Sequence, residues 1–594
     1  MIGQVTSGEA SRARAEWIDA ILGQTTRRYD DGAVTGLPRA WAECDLIVSH
    51  LALGATTRII APLLESKRSD PGVVVVDEAG RFVVPLVGGH AGGANDLARR
   101  LADGLGATAV VTTATDARGV PGLDTLGWRC AGEVATVTRA LLDGAPVTVA
   151  RTRPWPLPAL PSNARIVDLW ADDASPRRAG IGFPRIHVVG DAAPSSPGEP
   201  AAQVLITDEV APPTDLPRVV LNPPSLVAGL GCNAGTSAAA LGALLRRSLA
   251  DAGLAIESLG AIASVDAKAD EPGLVELAAD LGVPIHTFPA AVLAGFDVPN
   301  PSAAPAAAVG TPSVAEAAVL AQRAELVVEK QRTPEATCAI GRLPARGRLT
   351  IIGLGPGSRD LTTPRALQAI GEASVVVGYR PYVAQVKDLL RPGTRIASTP
   401  MGKESERTAT AIELARQGNN VALVCSGDPA IYAMASPVLE QGTAGIDVEV
   451  IPGVTASLAA SAILGAPLGH DHATISLSDL HTDWDTILRR VRAAAQADLV
   501  TVLYNPRSRT RLHHLPDALA IFAEHRPAGT PVAVVEEAER PEQRVVLATL
   551  ADFDPAVVNM NSLVVVGSST TTYLPACDGR RVMVTPRDYH WMNR

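Results

Sequence analysis

Short β-branched runs set the terms for this chain. DLIVSH, GVVVVDE, ATAVVTT, VALVCSG, DVEVIPG and SLVVVGS alternate with Ala/Leu/Arg-rich helical stretches over most of its length. A helix that follows each apolar strand must pack back across a sheet, so this alternation demands α/β layers with largely parallel sheets. At 594 residues the chain exceeds one such unit, and about 150 residues per domain suggests roughly four. The 47% hydrophobic content supplies ample core. There is no repeat of the length that builds a solenoid.

Proline marks the expected boundaries. RTRPWPLPALP, APSSPGEP and APPTDLP gather within Arg151–Asn222, where the alternation weakens, which predicts a small, loop-rich middle domain. KQRTPEATCAIGRLPARGR (Lys330–Arg348) separates two halves of unlike character and reads as the main interdomain linker. The division is therefore 1–125, a Pro-rich middle domain over 126–222, 223–330, a linker over 331–347, and 348–594 with an internal division near 475.

The formal net charge of -10 argues against nucleic acid as a partner. Cys44, Cys130, Cys232, Cys338, Cys425 and Cys577 form no C-x-x-C pair, which disfavours a disulfide framework or a zinc site, and no metal is expected. The N-terminus MIGQVTSGEASRAR has no apolar core, and no uninterrupted apolar stretch reaches about 18 residues. These features fit a cytoplasmic protein with no membrane partner.

In LTIIGLGPGSRDLTTPRALQAI the glycines are Gly353, Gly355 and Gly357, a G-x-G-x-G spacing without the third glycine of a dinucleotide-binding fingerprint. Alone, such a loop reads equally well as a strand-to-helix turn with no ligand. VALVCSGDPAIYAMA, VEVIPGVTASLAASAILGAPLGHD and LVTVLYNPRSRTR also place small or turn-forming residues directly after apolar strands, at strand ends where open α/β folds bind ligands.

GLGPG, SGDP-x-IY, PGVTA, GAPLGHD, ISLSDL, LYNPRS and VTPRDY occur in the order found in tetrapyrrole methyltransferases, and the stretch Gly347–Tyr589 resembles their precorrin-3B C(17) branch. The resemblance implies two α/β subdomains with S-adenosylmethionine between them. It also implies cobalamin biosynthesis, with methylation of precorrin-3B at C-17 and ring contraction, and by family likeness a homodimer. Gly355, Pro356, Gly357, Ser426, Gly427, Asp428, Pro429, Ile431, Tyr432, Gly453, Val454, Thr455, Ala456, Tyr504, Asn505 and Pro506 match the donor-binding positions. A sulfonium donor carries no pyrophosphate, so small residues and backbone groups suffice to wrap it, and its methyl is already activated.

Ring contraction needs a proton taken from a hydroxyl, for which Asp471, His472 and Asp479 are candidates. Each reads equally as a capping or packing residue. Arg507, Arg509 and Arg511 in NPRSRTR suit substrate carboxylates, or form a solvated basic stripe.

In the first half, VVPLVGGHAGGANDLARRL, LVAGLGCNAGTSAAALGALL and SLGAIASVDAKADEPGLVELAADL resemble the cobalt-precorrin-5A hydrolase family, which opens a ring lactone. Each places a small-residue or charged turn between strand and helix. The resemblance points to a multidomain α/β chain with hydrolase-like N-terminal domains ahead of the two-subdomain methyltransferase. His90, Asp266 and Lys268 are candidate groups with water as nucleophile. Asn233 and Ala234 stand where that family often carries arginines. The half reads either as this hydrolase or as a module that holds the tetrapyrrole for the methyltransferase. Other corrin-pathway enzymes are conceivable partners, and a same-fold methyltransferase with a non-corrin substrate is the alternative for the second half.

Overall fold

The computed structural model describes residues 1–66, 69–89, 92–112, 118–172, 188–189, 199–302, 310–577 and 579–587. It is a multidomain α/β structure built on successive sheets. His90 lies outside the described residues. No helix among the described residues is long and apolar enough to cross a membrane.

The first sheet runs Arg27–Tyr29, Ile2–Val5, Leu46–Ser49, Gly72–Val76, Phe82–Val87, Thr108–Ala109. Gly72–Val76 is buried throughout, as expected for a continuous apolar run covered on both faces. His50, directly after Leu46–Ser49, is buried with Nε2 2.9 Å from Gln4 Oε1. Burial, then Arg14 and Arg28, lower its pKa to about 4. Unfolded histidine titrates near 6.5, so the unfolded state binds the extra proton between these two values. Stability contributed by the neutral ring is complete above about pH 6.5 and lost as pH falls toward 4. The full difference is about 3 kcal/mol at ~1.4 kcal/mol per pKa unit. Urea melts followed across that window should show this slope in the native chain and a flatter one in His50→Asn.

The stretch expected to be loop-rich instead carries most of a five-stranded sheet, ordered Arg129–Gly132, Arg218–Asn222, Ala202–Ile206, Val147–Arg151, Ala164–Asp168. Its strands are only four or five residues long, and the prolines fall between them, not within them. Proline cannot donate to a ladder, so proline density here marks the connections.

The third sheet runs Ile285–Phe288, Leu259–Val265, Leu226–Cys232, Ala336–Arg342, Glu325–Arg332. Its last two strands form an antiparallel hairpin, which corrects the expected linker over 331–347. Pro334 sits in the hairpin turn, and the following Cys338 and Ile340 are fully buried. The connection to the next sheet shrinks to 343–346.

The fourth sheet has the order Val188–Val189, Arg395–Thr399, Val375–Tyr379, Asn420–Cys425, Gly347–Gly353, Ile446–Ile451, parallel apart from its first strand. The fifth runs His472–Ser476, Val500–Tyr504, Ser562–Val566, Pro531–Glu536, Arg544–Thr549. Only its first pair is parallel, so the expectation of largely parallel sheets fails there. Neighbouring sheets are tied by buried charge. Arg151 Nη1 donates to Gly418 O at 3.0 Å, and Arg342 Nε donates to Asp208 Oδ2 at 2.7 Å.

Candidate active site

Three parallel strands of the fourth sheet end side by side, and their loops close on one another. Leu354 N donates to Cys425 O at 2.9 Å, Gly355 N to Gly427 O at 3.2 Å, and Gly427 N back to Gly355 O at 2.7 Å. The loops after Gly347–Gly353 and Asn420–Cys425 are therefore locked as a short antiparallel bridge. Gly355 (φ 78°) and Gly427 (φ 68°) both require the left-handed conformation. A Cβ on Gly353 would lie 2.5 Å from Gly427 O and 2.8 Å from Gly453 N, so no larger residue fits where the three segments meet.

Asp428 holds the third loop. Its Oδ2 accepts from Gly453 N at 3.1 Å and its Oδ1 from Ala430 N at 2.8 Å. The carboxylate thus acts as a strut between loops. Ser426 Oγ reaches Gly355 O at 3.5 Å, and Pro429 O accepts from Ala435 N at 2.9 Å. Beyond Gly453 and Val454, Thr455 precedes the helix Ala456–Leu464. Its hydroxyl lies 2.7 Å from Tyr504 OH, which also accepts from Ser457 N at 2.8 Å.

The second subdomain completes the cleft. Tyr432 OH donates to Thr474 O at 2.9 Å, and its ring meets that of Tyr504 at a centroid distance of 5.4 Å. Tyr432 (φ 53°) and Asn505 (φ 49°) are both left-handed, a costly conformation for a tyrosine and one that clusters at functional sites. Asn505 Nδ2 donates to Ser476 Oγ at 3.0 Å, and Pro506 is buried behind it. Ile431 and Tyr432 remain partly exposed at the cleft. The Cys425 thiol is pushed up to about 12 by burial, which makes it inert as a nucleophile.

On the opposite side, Arg540 spans the subdomains. Its Nε donates to Pro356 O at 3.2 Å while Nη1 pairs with Glu537 Oε2 at 2.7 Å. A Cβ on Gly357 would approach Arg540 Nε to 2.9 Å, so that glycine makes room for the arginine. Arg540 was not legible in the sequence, because it comes from the turn between Pro531–Glu536 and Arg544–Thr549, with no motif around it. Arg540→Ala should free the Gly355–Gly357 loop and raise the donor KM about tenfold with kcat nearly unchanged, since loop positioning acts mainly through binding. Steady-state kinetics checks the split.

The candidate proton acceptors separate clearly. Asp471 is exposed beside His470, and the exposed His472 has its Nδ1 3.4 Å from the backbone His470 O. Asp479 has a built environment: its Oδ2 lies 3.3 Å from Nε2 of the buried His514. That imidazole packs on Trp484 at 4.1 Å and on His513 at 4.3 Å. Burial lowers its pKa, against the opposing pull of Asp479, which favours the neutral ring. Sequence reasoning missed His514, although LHHL directly after NPRSRTR carried a signal. Among the arginines, Arg507 Nη1 is engaged by Pro555 O at 2.9 Å, Arg509 is exposed, and Arg511 Nε is buried without a hydrogen-bond partner.

In the third sheet Asp266 is exposed, whereas Lys268 Nζ lies 2.6 Å from Glu271 Oε2. The helix start after GCNAGT has less to offer a ligand than its sequence suggests. Gly235 N is taken by Glu271 Oε1 at 2.6 Å, and Ser237, not Thr236, caps the helix through Ala240 N at 3.2 Å.

Comparison with known proteins matches three stretches of the chain. Residues 348–554 match the Tetrapyrrole (Corrin/Porphyrin) Methylases, 226–341 match Cobalamin synthesis G C-terminus, and 35–116 match Cobalamin synthesis G N-terminal. A Salmonella typhimurium protein named as a probable cobalt-factor III C(17)-methyltransferase is 47% identical, over 41% of this chain and 99% of its own length. A Sinorhizobium protein named precorrin-3B C(17)-methyltransferase is 36% identical, over 41% of this chain and 97% of its own. Other relatives are longer, and the match spans 45% or 48% of their length. The crystal structure of the methyltransferase CobJ is 36% identical over 40% of this chain and all of its own, with a TM-score of 0.38. The chain belongs to the tetrapyrrole (corrin/porphyrin) methylases, with cobalamin synthesis G-type N-terminal and C-terminal segments ahead of the methylase.

Proposed function

We propose that the methylase half transfers a methyl group from S-adenosylmethionine to C-17 of precorrin-3B or its cobalt counterpart, with contraction of the ring. The observation that carries this reading is the three-loop cradle at Gly353, Gly427 and Gly453, beside relatives named for that reaction. The cradle offers small residues and main-chain groups and no phosphate-binding turn, which fits adenosine bearing a sulfonium. Gly355–Gly357, Ser426–Pro429, Ile431, Tyr432, Gly453–Ala456 and Tyr504–Pro506 would hold the donor. The donor supplies an activated methyl. The chain's part is to orient it, exclude water and accept a proton, the last through Asp479 with His514 behind it.

The acceptor is a tetrapyrrole in this reading, and the working unit a homodimer in contact with neighbouring pathway enzymes. Transfer of labelled methyl from S-adenosylmethionine to anaerobically prepared precorrin-3B or cobalt-factor III, with ribosomal RNA as competing acceptor, tests the class of substrate. Label appearing in RNA and not in pigment would sink it.

The N-terminal half is proposed to open the lactone of cobalt-precorrin-5A, supported by its two matching segments. Acetaldehyde release by the full chain tests this. Pigment binding without release would leave it a holding module.

A further inference from the structure

The third sheet carries a cavity of about 910 Å³ at the end where Cys232, Val265 and Ala336 stand, with Lys268, Lys330 and Arg332 on its rim. The strand Ala336–Arg342 runs away from that rim, antiparallel to Leu226–Cys232, so Arg342 and Leu226 mark the opposite end of the sheet. After residues 343–346 the chain enters the fourth sheet at the amino end of Gly347–Gly353. The carboxyl end of that strand forms the methyl-transfer cleft.

The two inner ends meet the second sheet at one junction. Arg342 Nε donates to Asp208 Oδ2 at 2.7 Å, and Asp208 lies just past the strand Ala202–Ile206. Ala345 packs on the core of that same sheet. On the methylase side, the proline-rich strap that follows Val147–Arg151 lies along the amino ends of the strands. The buried Arg151 donates from Nη1 to Trp155 O at 2.8 Å and to Gly418 O at 3.0 Å, and Leu157 pairs with Asn419, directly ahead of Asn420–Cys425. A Cβ on Gly393, just ahead of Arg395–Thr399, would overlap Leu160 O, so strap and strand ends meet main chain to main chain. Parting these surfaces leaves a buried guanidinium short of an acceptor, which holds the junction in one arrangement.

We propose that the two halves are docked back to back, with the third-sheet cavity and the methyl-transfer cleft opening at opposite outer ends, so that no pigment passes between them inside one chain. Each seven-residue strand spans about 23 Å at ~3.3 Å per residue, which sets the outer rims more than one strand length apart. The methylated product is released to solvent, and the N-terminal half draws its lactone from solution, which leaves room for another enzyme to modify the released product first. This rests on the reading of both halves as acting on the macrocycle, and it restricts a holding module to serving other molecules than its own cleft.

Pulsed electron spin resonance reads the arrangement in a full chain carrying Cys130→Ser, Cys232→Ser and Cys577→Ser. Nitroxides are placed at Glu335→Cys, on the hairpin turn of the outer third-sheet rim, and at Met401→Cys, exposed beyond the carboxyl end of Arg395–Thr399. The expected result is one narrow distance above about 30 Å. A distance shorter than one strand length, or a broad distribution that reaches it, would overturn the proposal. Isotope trapping in the unmodified chain reads the consequence: labelled precorrin-3B equilibrated with the chain is mixed with S-adenosylmethionine and excess unlabelled precorrin-3B. Methylated label should not exceed one equivalent per chain, and a second equivalent, handed over from the N-terminal half, would overturn the separation of the two sites. No methyl gained by either pool, with the long distance intact, would uphold the docking while removing the methyl-transfer reading.

Discussion

Gly453→Ala is expected to weaken donor binding at least tenfold while the chain stays folded. A Cβ at this position would overlap the Gly427 carbonyl oxygen and come within 2.8 Å of the Gly353 carbonyl carbon. Both obstacles are main chain, so no flexible side chain can swing away. The Gly427 loop is itself bridged to Gly355, and Gly453 N is tied to Asp428, so separation of one pair strains the others. Overpacking of this kind costs about 1–3 kcal/mol, and each 1.4 kcal/mol is tenfold in affinity. The strain falls at loop ends, away from the aliphatic clusters around Ile351 and Leu423, so the sheet should persist. Calorimetric titration with S-adenosylhomocysteine reads the effect. Unchanged affinity would mean that the donor does not sit where the three loops converge.

Asp479→Asn is the second large effect. The substitution keeps the shape of the side chain and removes its capacity to take a proton. The buried His514, packed at a tilt against Trp484 and His513, places its Nε2 3.3 Å from one carboxylate oxygen. The Asp479 side chain is itself 43% exposed, which leaves the carboxylate accessible. A positioned general base contributes typically about 10²–10⁴-fold, so kcat should fall by that order with donor affinity intact. The exposed His472 lacks any such support, and His472→Ala should leave the rate within about twofold. The reverse pattern, a collapse with His472→Ala and none with Asp479→Asn, would move the base to the start of the strand His472–Ser476.

Much of the framework of the candidate site was legible because it is written in residues that only one conformation explains. Glycines at 353, 355 and 453 are demanded by close main-chain approach and Gly427 by its positive φ, and they stand directly after apolar strands that announce themselves. Asp428 was legible as a loop residue, and the structure gives it the work of a strut. Arg540 and His514 act by reaching across from other elements, and spacing along the chain carries no record of that. Proline misled at two places. It marked connections between short strands in the second sheet and a hairpin turn at Pro334, where density of proline alone reads as loop or linker. The antiparallel half of the fifth sheet was hidden for a similar reason: SLVVVGS has the same apolar run whichever way its neighbours point.

The cationic groups of the third-sheet cavity were likewise dispersed. Lys268 was visible in a charged cluster, but Lys330 and Arg332 lay in a stretch read as a linker, and only the hairpin brings them to the same rim.

The most direct test of the central claim is mass spectrometry of the pigment after anaerobic incubation of the full chain with S-adenosylmethionine and, in parallel, precorrin-3B or its cobalt counterpart. The expected result is one added methyl on one of the two pigments, absent in Gly453→Ala. Donor bound with no methyl gained by either pigment would contradict assignment of the cleft to corrin C-methylation.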